Sequence, residues 1–390
     1  TQPRNSCCAE KGDNQMKTTK QNLGMGRTLL ALAVLGAIGH AQAQQSDEVK
    51  QLTNPDSSVT VGIAGVNGDS ADSAQYGMYN GMRKESGYLL FDIDYLRRDN
   101  ATGTWSWLTG RDLGTDAREL RGGMNRQGNW KVYGAYSEIT RYSPFTANTG
   151  MTNFGSTTPN IVAITKGGTG SDYDFKMQRK AASAGFDKWI TPNLKFEASV
   201  KSDDKSGTRL WGRGYDCASY VCGSSTTTAI NQANFLKNAI LMIPEPVDSN
   251  IKQFDARLAF NSAKLNVTAA YYGSFYTNAN GNISPIVPNA LYGGNQTLVG
   301  ALYPAVGTNI IAGGGLSLQQ VLASPLALPP DNQAHQYSIS GNYAFTPSTR
   351  ATFRYAYTHA TQDESFAGMG FTGAPAGVSN YGGRVDTVAA

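Results

Sequence analysis

At 390 residues the chain has room for two or three ordinary domains. Its charged residues amount to only 16%, which excludes a charge-rich disordered chain. A mean hydropathy of −0.36 argues against a helical membrane protein, which needs runs of about 20 apolar residues. With 44 glycines and 20 tyrosines, what remains is a β-rich protein padded with small polar residues, and an outer-membrane barrel is one way to reach that composition.

In chain order, residues 1–15 precede Met16 and read as an over-extended start. Residues 16–43 have the order of a secretory signal. Lys17, Lys20 and Arg27 are basic, Leu29 to Ile38 is apolar, and Ala41-Gln42-Ala43 is a small-x-small cleavage pattern. Residues 1–43 hold five basic and two acidic residues, so the net charge of +4 falls by 3 to +1 without them. That balance gives no reason to expect a nucleic-acid partner. Residues 44–57 read as a periplasmic N-terminal segment.

Period-2 alternation then recurs through residues 58–361. It predicts strands at 58–66, 86–98, 103–112, 117–127, 129–139, 171–187, 193–205, 250–261, 264–276, 333–345 and 349–361. Connections after the second, fourth, sixth, eighth and tenth strands are tight. Those after the first, fifth, seventh and ninth are long, and only the connection after the third breaks the pattern. Short turns at one rim and long loops at the other characterise bacterial outer-membrane barrels. The expected fold is therefore all-β: a transmembrane antiparallel up-and-down barrel, with residues 362–390 forming an outer loop. One strand face is apolar and meant for lipid; the other carries both signs of charge. Trp105, Trp130 and Trp189 lie near short turns and are predicted to form the periplasmic aromatic girdle.

Other motifs carry no chemistry of their own. Cys217 and Cys222, five apart in an exported chain, are most simply a small disulfide. No Cys-x-x-Cys-His occurs, so the chain attaches no c-type haem itself. His335 and His359 have no thiolate beside them, which disfavours a metal site. Gly313-Gly314-Gly315 lacks the context of a phosphate loop. Neither histidine stands in a nucleophile context, so no enzyme activity is expected.

Several stretches resemble one family, the decahaem-associated outer-membrane proteins of MtrB/PioB type. They are Glu245-Pro246-Val247-Asp248 entering the Phe254–Phe260 strand, Tyr272-Gly273-Ser274-Phe275, and Pro330-Asp331-Asn332-Gln333-Ala334-His335. Gly128-Asn129-Trp130-Lys131-Val132 through Tyr142-Ser143, and Lys176 to Phe186, add to it. The similarity runs through most of residues 58–366. It implies a large barrel that sheathes a periplasmic multihaem c-type cytochrome for electron transfer across the outer membrane. The haem would be carried by that partner and none bound by the barrel; an outer-surface cytochrome is a further partner the resemblance allows. Lys195, Glu197, Lys201, Asp255, Arg257 and Arg354 become the candidates for lining the lumen, although charges facing a water-filled pore fit those residues equally well. The Cys-x-x-Cys that some members carry near the mature N-terminus is missing here. Members also run to roughly twice as many strands, so this chain reads as an N-terminal portion. A porin-type diffusion channel and a secreted β-rich adhesin or binding protein stand as alternatives.

Overall fold

A computed structural model of the protein describes residues 56–68, 70–83, 86–162, 168–216, 238–286, 323–362 and 382–390. The leader, the glycine run at 313–315, and Cys217 and Cys222 lie outside the described residues. The alternating segments form β1 (Ser58–Gly65), β2 (Gly87–Asp99), β3 (Thr104–Arg111), β4 (Glu119–Arg126) and β5 (Trp130–Thr149). They continue as β6 (Ser171–Thr191), β7 (Leu194–Asp216), β8 (Asn238–Asn261) and β9 (Leu265–Asn278). After the two-residue strands β10 (Asn282–Ile283) and β11 (Leu326–Ala327) come β12 (Asn332–Ala344), β13 (Arg350–Gln362) and β14 (Gly383–Ala389). A single short helix, α1 (Ser70–Tyr76), lies between β1 and β2 among the described residues.

Twelve strands make one antiparallel meander in the order β1 to β9, β12, β13, β14, and β10 pairs only with β11. Among the described residues β1 and β14 are its edges. Every ladder joins strands adjacent along the sheet, the up-and-down order of an outer-membrane barrel. The loop parity is realised as well. Residues 100–103, 127–129, 192–193, 262–264 and 345–349 make the turns at one rim. Gly128 takes φ of 71° there, a conformation that a Cβ disfavours, so the β4–β5 hairpin can turn tightly. At the β6–β7 turn, the Thr191 hydroxyl accepts the backbone N–H of Leu194 at 3.1 Å.

Two features depart from the sequence reading. Strands β5, β7 and β8 continue well past their predicted ends, to Thr149 in β5, to Asp216 in β7 and back to Asn238 in β8. The reason lies in the outward face. Along β7, Leu194, Phe196, Ala198 and Val200 pair in register with Phe260, Leu258, Ala256 and Phe254. Ser202, Asp204 and Ser206 then pair with Lys252, Asn250 and Asp248. Once the outward face turns polar at Ser202 and the opposite face turns apolar at Val247, Ile243 and Trp211, the contrast of the membrane band is lost although the ladder continues. The second departure is β14, which falls within the predicted outer loop 362–390 and pairs with β13 from Ala356↔Ala389 to Gln362↔Gly383. All seven of its residues are exposed, so burial imposes no alternation that the sequence could display.

Apolar side chains on the outward face have no protein cover. Val200 is 50% exposed, Leu258 43%, Ile339 40% and Phe353 47%. A soluble protein rarely leaves so continuous an apolar band bare, whereas lipid covers it in a barrel. The most buried apolar side chains, Ile243 and Ile283, lie instead beyond one end of that band.

Candidate lumenal face and outer cap

Register assigns each side chain to a face. Lys195, Glu197, Lys201, Asp255 and Arg257 alternate with the apolar residues of β7 and β8, and so share the opposite face. Arg354 joins them through the directly paired row Lys195, Ala259, Thr268, Ser340, Arg354. All six predicted lumenal residues therefore stand on one face. Asp187 and Glu197 face each other across β6 and β7, a repulsive pair taken alone. Lys195 Nζ resolves it, forming ion pairs with Glu197 and, at 3.5 Å, with Asp187. Arg257 stands opposite Glu197 and pairs with Asp255 at 3.0 Å. Farther along the sheet, Arg111 pairs with Asp94 at 2.7 Å.

The predicted aromatic girdle needs correction. All three tryptophans sit near the short-turn rim, but height along a strand and facing are independent. Trp130 is in the phase of Val132, on the apolar side. Trp105 stands opposite Arg98 with the guanidinium 5.3 Å from its ring centroid, on the charged face. Trp189 is opposite Lys195, whose Nζ is 5.9 Å from its ring. Trp107 also points to that face, over Gly123, where an added Cβ would meet the indole at 3.0 Å. Tyr133 covers Gly185 in the same row.

At the long-loop end, the connections fold onto the charged face. Ile243 and Trp211, opposite each other in β8 and β7, pack with Met151, Phe154 and Ile161 from the β5–β6 connection. Ile283, Leu326 and Leu328 from the β9–β12 connection complete the cluster. Phe154 stacks on Tyr173 with centroids 4.2 Å apart. Backbone bonds from Ser284 N to Thr157 O at 2.7 Å and from Ile161 N to Ile286 O at 2.8 Å join the two connections. The result is a small apolar core above the charged wall, a cap that sequence reasoning missed because its parts are far apart in the chain.

Below the cap, Asp203 and Glu245 are buried, each gripped by an arginine. Arg179 Nε reaches both Asp203 oxygens, at 2.7 and 3.0 Å. Arg209 donates to both Glu245 oxygens, at 2.6 and 2.9 Å. Such forked pairs fix geometry as well as charge. The Arg179 hydrogen bonds hold the Asp203 carboxyl below the usual carboxylate range, and the Glu245 bonds raise the Arg209 guanidinium. His335 and His359, opposite each other in β12 and β13, face outward with the apolar phase. His335 Nδ1 meets the Tyr271 hydroxyl at 2.9 Å, and His359 Nδ1 meets Asp386 at 2.8 Å.

The family match agrees with this architecture. The family described as outer membrane beta-barrel porin, MtrB/PioB, matches residues 69–390. No curated protein matches the chain in sequence. Among solved structures, OmpT, an outer membrane protein of Vibrio cholerae, is 9% identical with a TM-score of 0.28; the similarity covers 85% of this chain and 72% of that one. The ferric-catecholate import receptor Fiu of E. coli K12 is 14% identical with a TM-score of 0.32, covering 77% of this chain and 44% of that one. The siderophore receptor PiuA of Acinetobacter baumannii is 13% identical with a TM-score of 0.33, over the same shares. With a twelve-strand meander, a bare apolar face opposite a charged one, and a family match over most of its length, the chain belongs to the MtrB/PioB family of outer-membrane β-barrel porins.

Proposed function

We propose that this barrel is a non-catalytic scaffold that sheathes a periplasmic multihaem c-type cytochrome, so that electrons cross the outer membrane through its lumen. The haem belongs to the partner, and the barrel binds none directly. One observation carries the reading within the family: the charged face forms a single wall whose ions are largely paired with one another. Lys195 with Asp187 and Glu197, Arg257 with Asp255, and Arg111 with Asp94 leave a hydrated surface of little net charge. Such a wall suits contact with a folded protein carrying both signs of charge. Twelve strands about 4.8 Å apart and tilted about 40° contribute roughly 75 Å of circumference. The barrel's task is to exclude lipid from the conduit and hold its wall rigid.

The cap favours a second reading, a porin-type diffusion channel, because loops folded onto the lumenal face narrow a pore. Family membership removes the secreted adhesin. Purification of the full chain from native outer membranes separates the two remaining readings. A haem-staining protein that co-purifies in fixed ratio and is protected from protease supports the scaffold. Steady single-channel conductance from haem-free barrels, with no such partner, refutes it and assigns the diffusion channel.

A further inference from the structure

A cavity of about 860 Å³ opens on the charged face between the membrane band and the cap. Arg141, Met177, Gly207 and Val247 lie side by side in register across β5 to β8, and Arg141, Met177 and Val247 line the cavity. Gly207 stands between Met177 and Val247 in that row. Its φ is 138°, and a Cβ there would sit 2.1 Å from the Lys176 carbonyl oxygen, so only glycine fits. Lys205 and Arg209 flank Gly207 on the same face, and Arg179 stands opposite Lys205.

The four cations are not equivalent. Arg179 and Arg209 are neutralised by Asp203 and Glu245. Among the described residues, no carboxylate lies at ion-pair distance from Arg141 or Lys205. The Arg141 guanidinium is held over the Tyr79 ring at 5.2 Å, a stacking contact that leaves its N–H fork available. Arg141 and Lys205 are about 12 Å apart at Cα by strand spacing, within reach of long side chains converging on one group. Phe175, Met177, Val247 and Tyr276 give the cavity apolar and aromatic walls.

We propose that this cavity binds a small organic carboxylate, its charged end between Arg141 and Lys205 and its apolar body against Met177, Val247 and Phe175. A planar guanidinium fork matches a carboxylate, and the apolar walls reward a body that inorganic anions lack. The site lies on the lumenal wall beyond the membrane band, and the proposal does not depend on which of the two readings above holds.

Isothermal titration calorimetry of the detergent-folded full chain tests it, with benzoate as the probe and heat-modifiable migration confirming that each variant is folded. Saturable binding is expected. Arg141→Gln and Lys205→Gln should each weaken it tenfold or more, whereas Glu245→Gln, which unclamps Arg209, should tighten it. Loss of affinity in Arg141→Gln cannot be mistaken for misfolding when Glu245→Gln, a change at a buried site, acts in the opposite direction. The proposal is overturned if benzoate does not bind, if both cation variants bind like the wild type, or if inorganic phosphate displaces benzoate at equal concentration.

Discussion

Replacing Ile243 with alanine should release the outer cap while leaving the membrane ladder intact. Ile243 has no exposed surface and sits where β8 meets Ile283, Leu326, Leu328 and Met151. Isoleucine-to-alanine changes at fully buried sites cost about 2–5 kcal/mol, and a value near 3 suits a cluster this small, whose loops can partly collapse into the space. Three kcal/mol is roughly a hundredfold rise in the population of the opened cap. Hydrogen exchange of the detergent-folded chain reads this directly, because local opening controls exchange where closing is fast. The amides of Ile161, Ser284 and Ile286, which bond across the two connections, should exchange about a hundredfold faster. Amides from Leu194 to Val200, paired within the apolar band, should not change. If Ile161 and Ile286 exchange within threefold of the wild type, the cap is not held by this cluster and the packing argument fails.

Three further outcomes follow from the charged wall. Lys195→Met leaves Asp187 facing Glu197 without their shared cation, and should lower stability by about 1 kcal/mol in urea unfolding; adding Glu197→Gln should restore it, and no rescue would mean that the repulsion is not the cause. In vesicles with brominated acyl chains, a chain keeping only Trp130 should be quenched by lipid, whereas chains keeping only Trp105 or Trp189 should respond to aqueous acrylamide; lipid quenching of all three would restore the full girdle. Because Arg179 holds the Asp203 carboxyl low, the clamp contributes stability above the unfolded aspartate value of about 3.9 and loses it as pH falls through the lowered folded value. The gap in thermal stability between wild type and Asp203→Asn should therefore be full near neutrality and close toward strongly acid pH; a gap independent of pH would refute the clamp.

The strands of the membrane band were legible because a bilayer imposes the contrast that alternation reports. Leu194, Phe196, Ala198 and Val200 must differ from Lys195, Glu197 and Lys201 when one set meets lipid and the other water. Beyond Ser202 that requirement ends. Asp204 and Asn250 face outward into water, and the chain can extend the same ladder without keeping apolar residues in the outward phase. Backbone pairing continues there for hydrogen-bonding reasons that leave no mark on side-chain pattern. β14 is the extreme case, an exposed edge strand recognisable only by its partner β13.

The same reasoning explains which parts of the site were hidden. The six lumenal candidates were chosen by phase alone, and they share one face because every one lies in the band where phase is informative. Trp105 and Trp189 went astray because nearness to a turn fixes height, whereas facing depends on parity with Leu108, Val132 and Phe186. Trp105 is out of phase with Leu108, and that signal was present in the sequence. The cap and the cavity beneath it left no comparable signal. Arg209 meets Glu245 only because β7 and β8 run together far past the membrane, and Ile243 meets Ile283 only because a distant connection folds back. Charged lumenal walls recur along a barrel strand by strand and can be read locally. A pocket needs several loops to return to one place, so it is fixed by long-range packing: the capped pocket is the part of this barrel its local pattern specifies least.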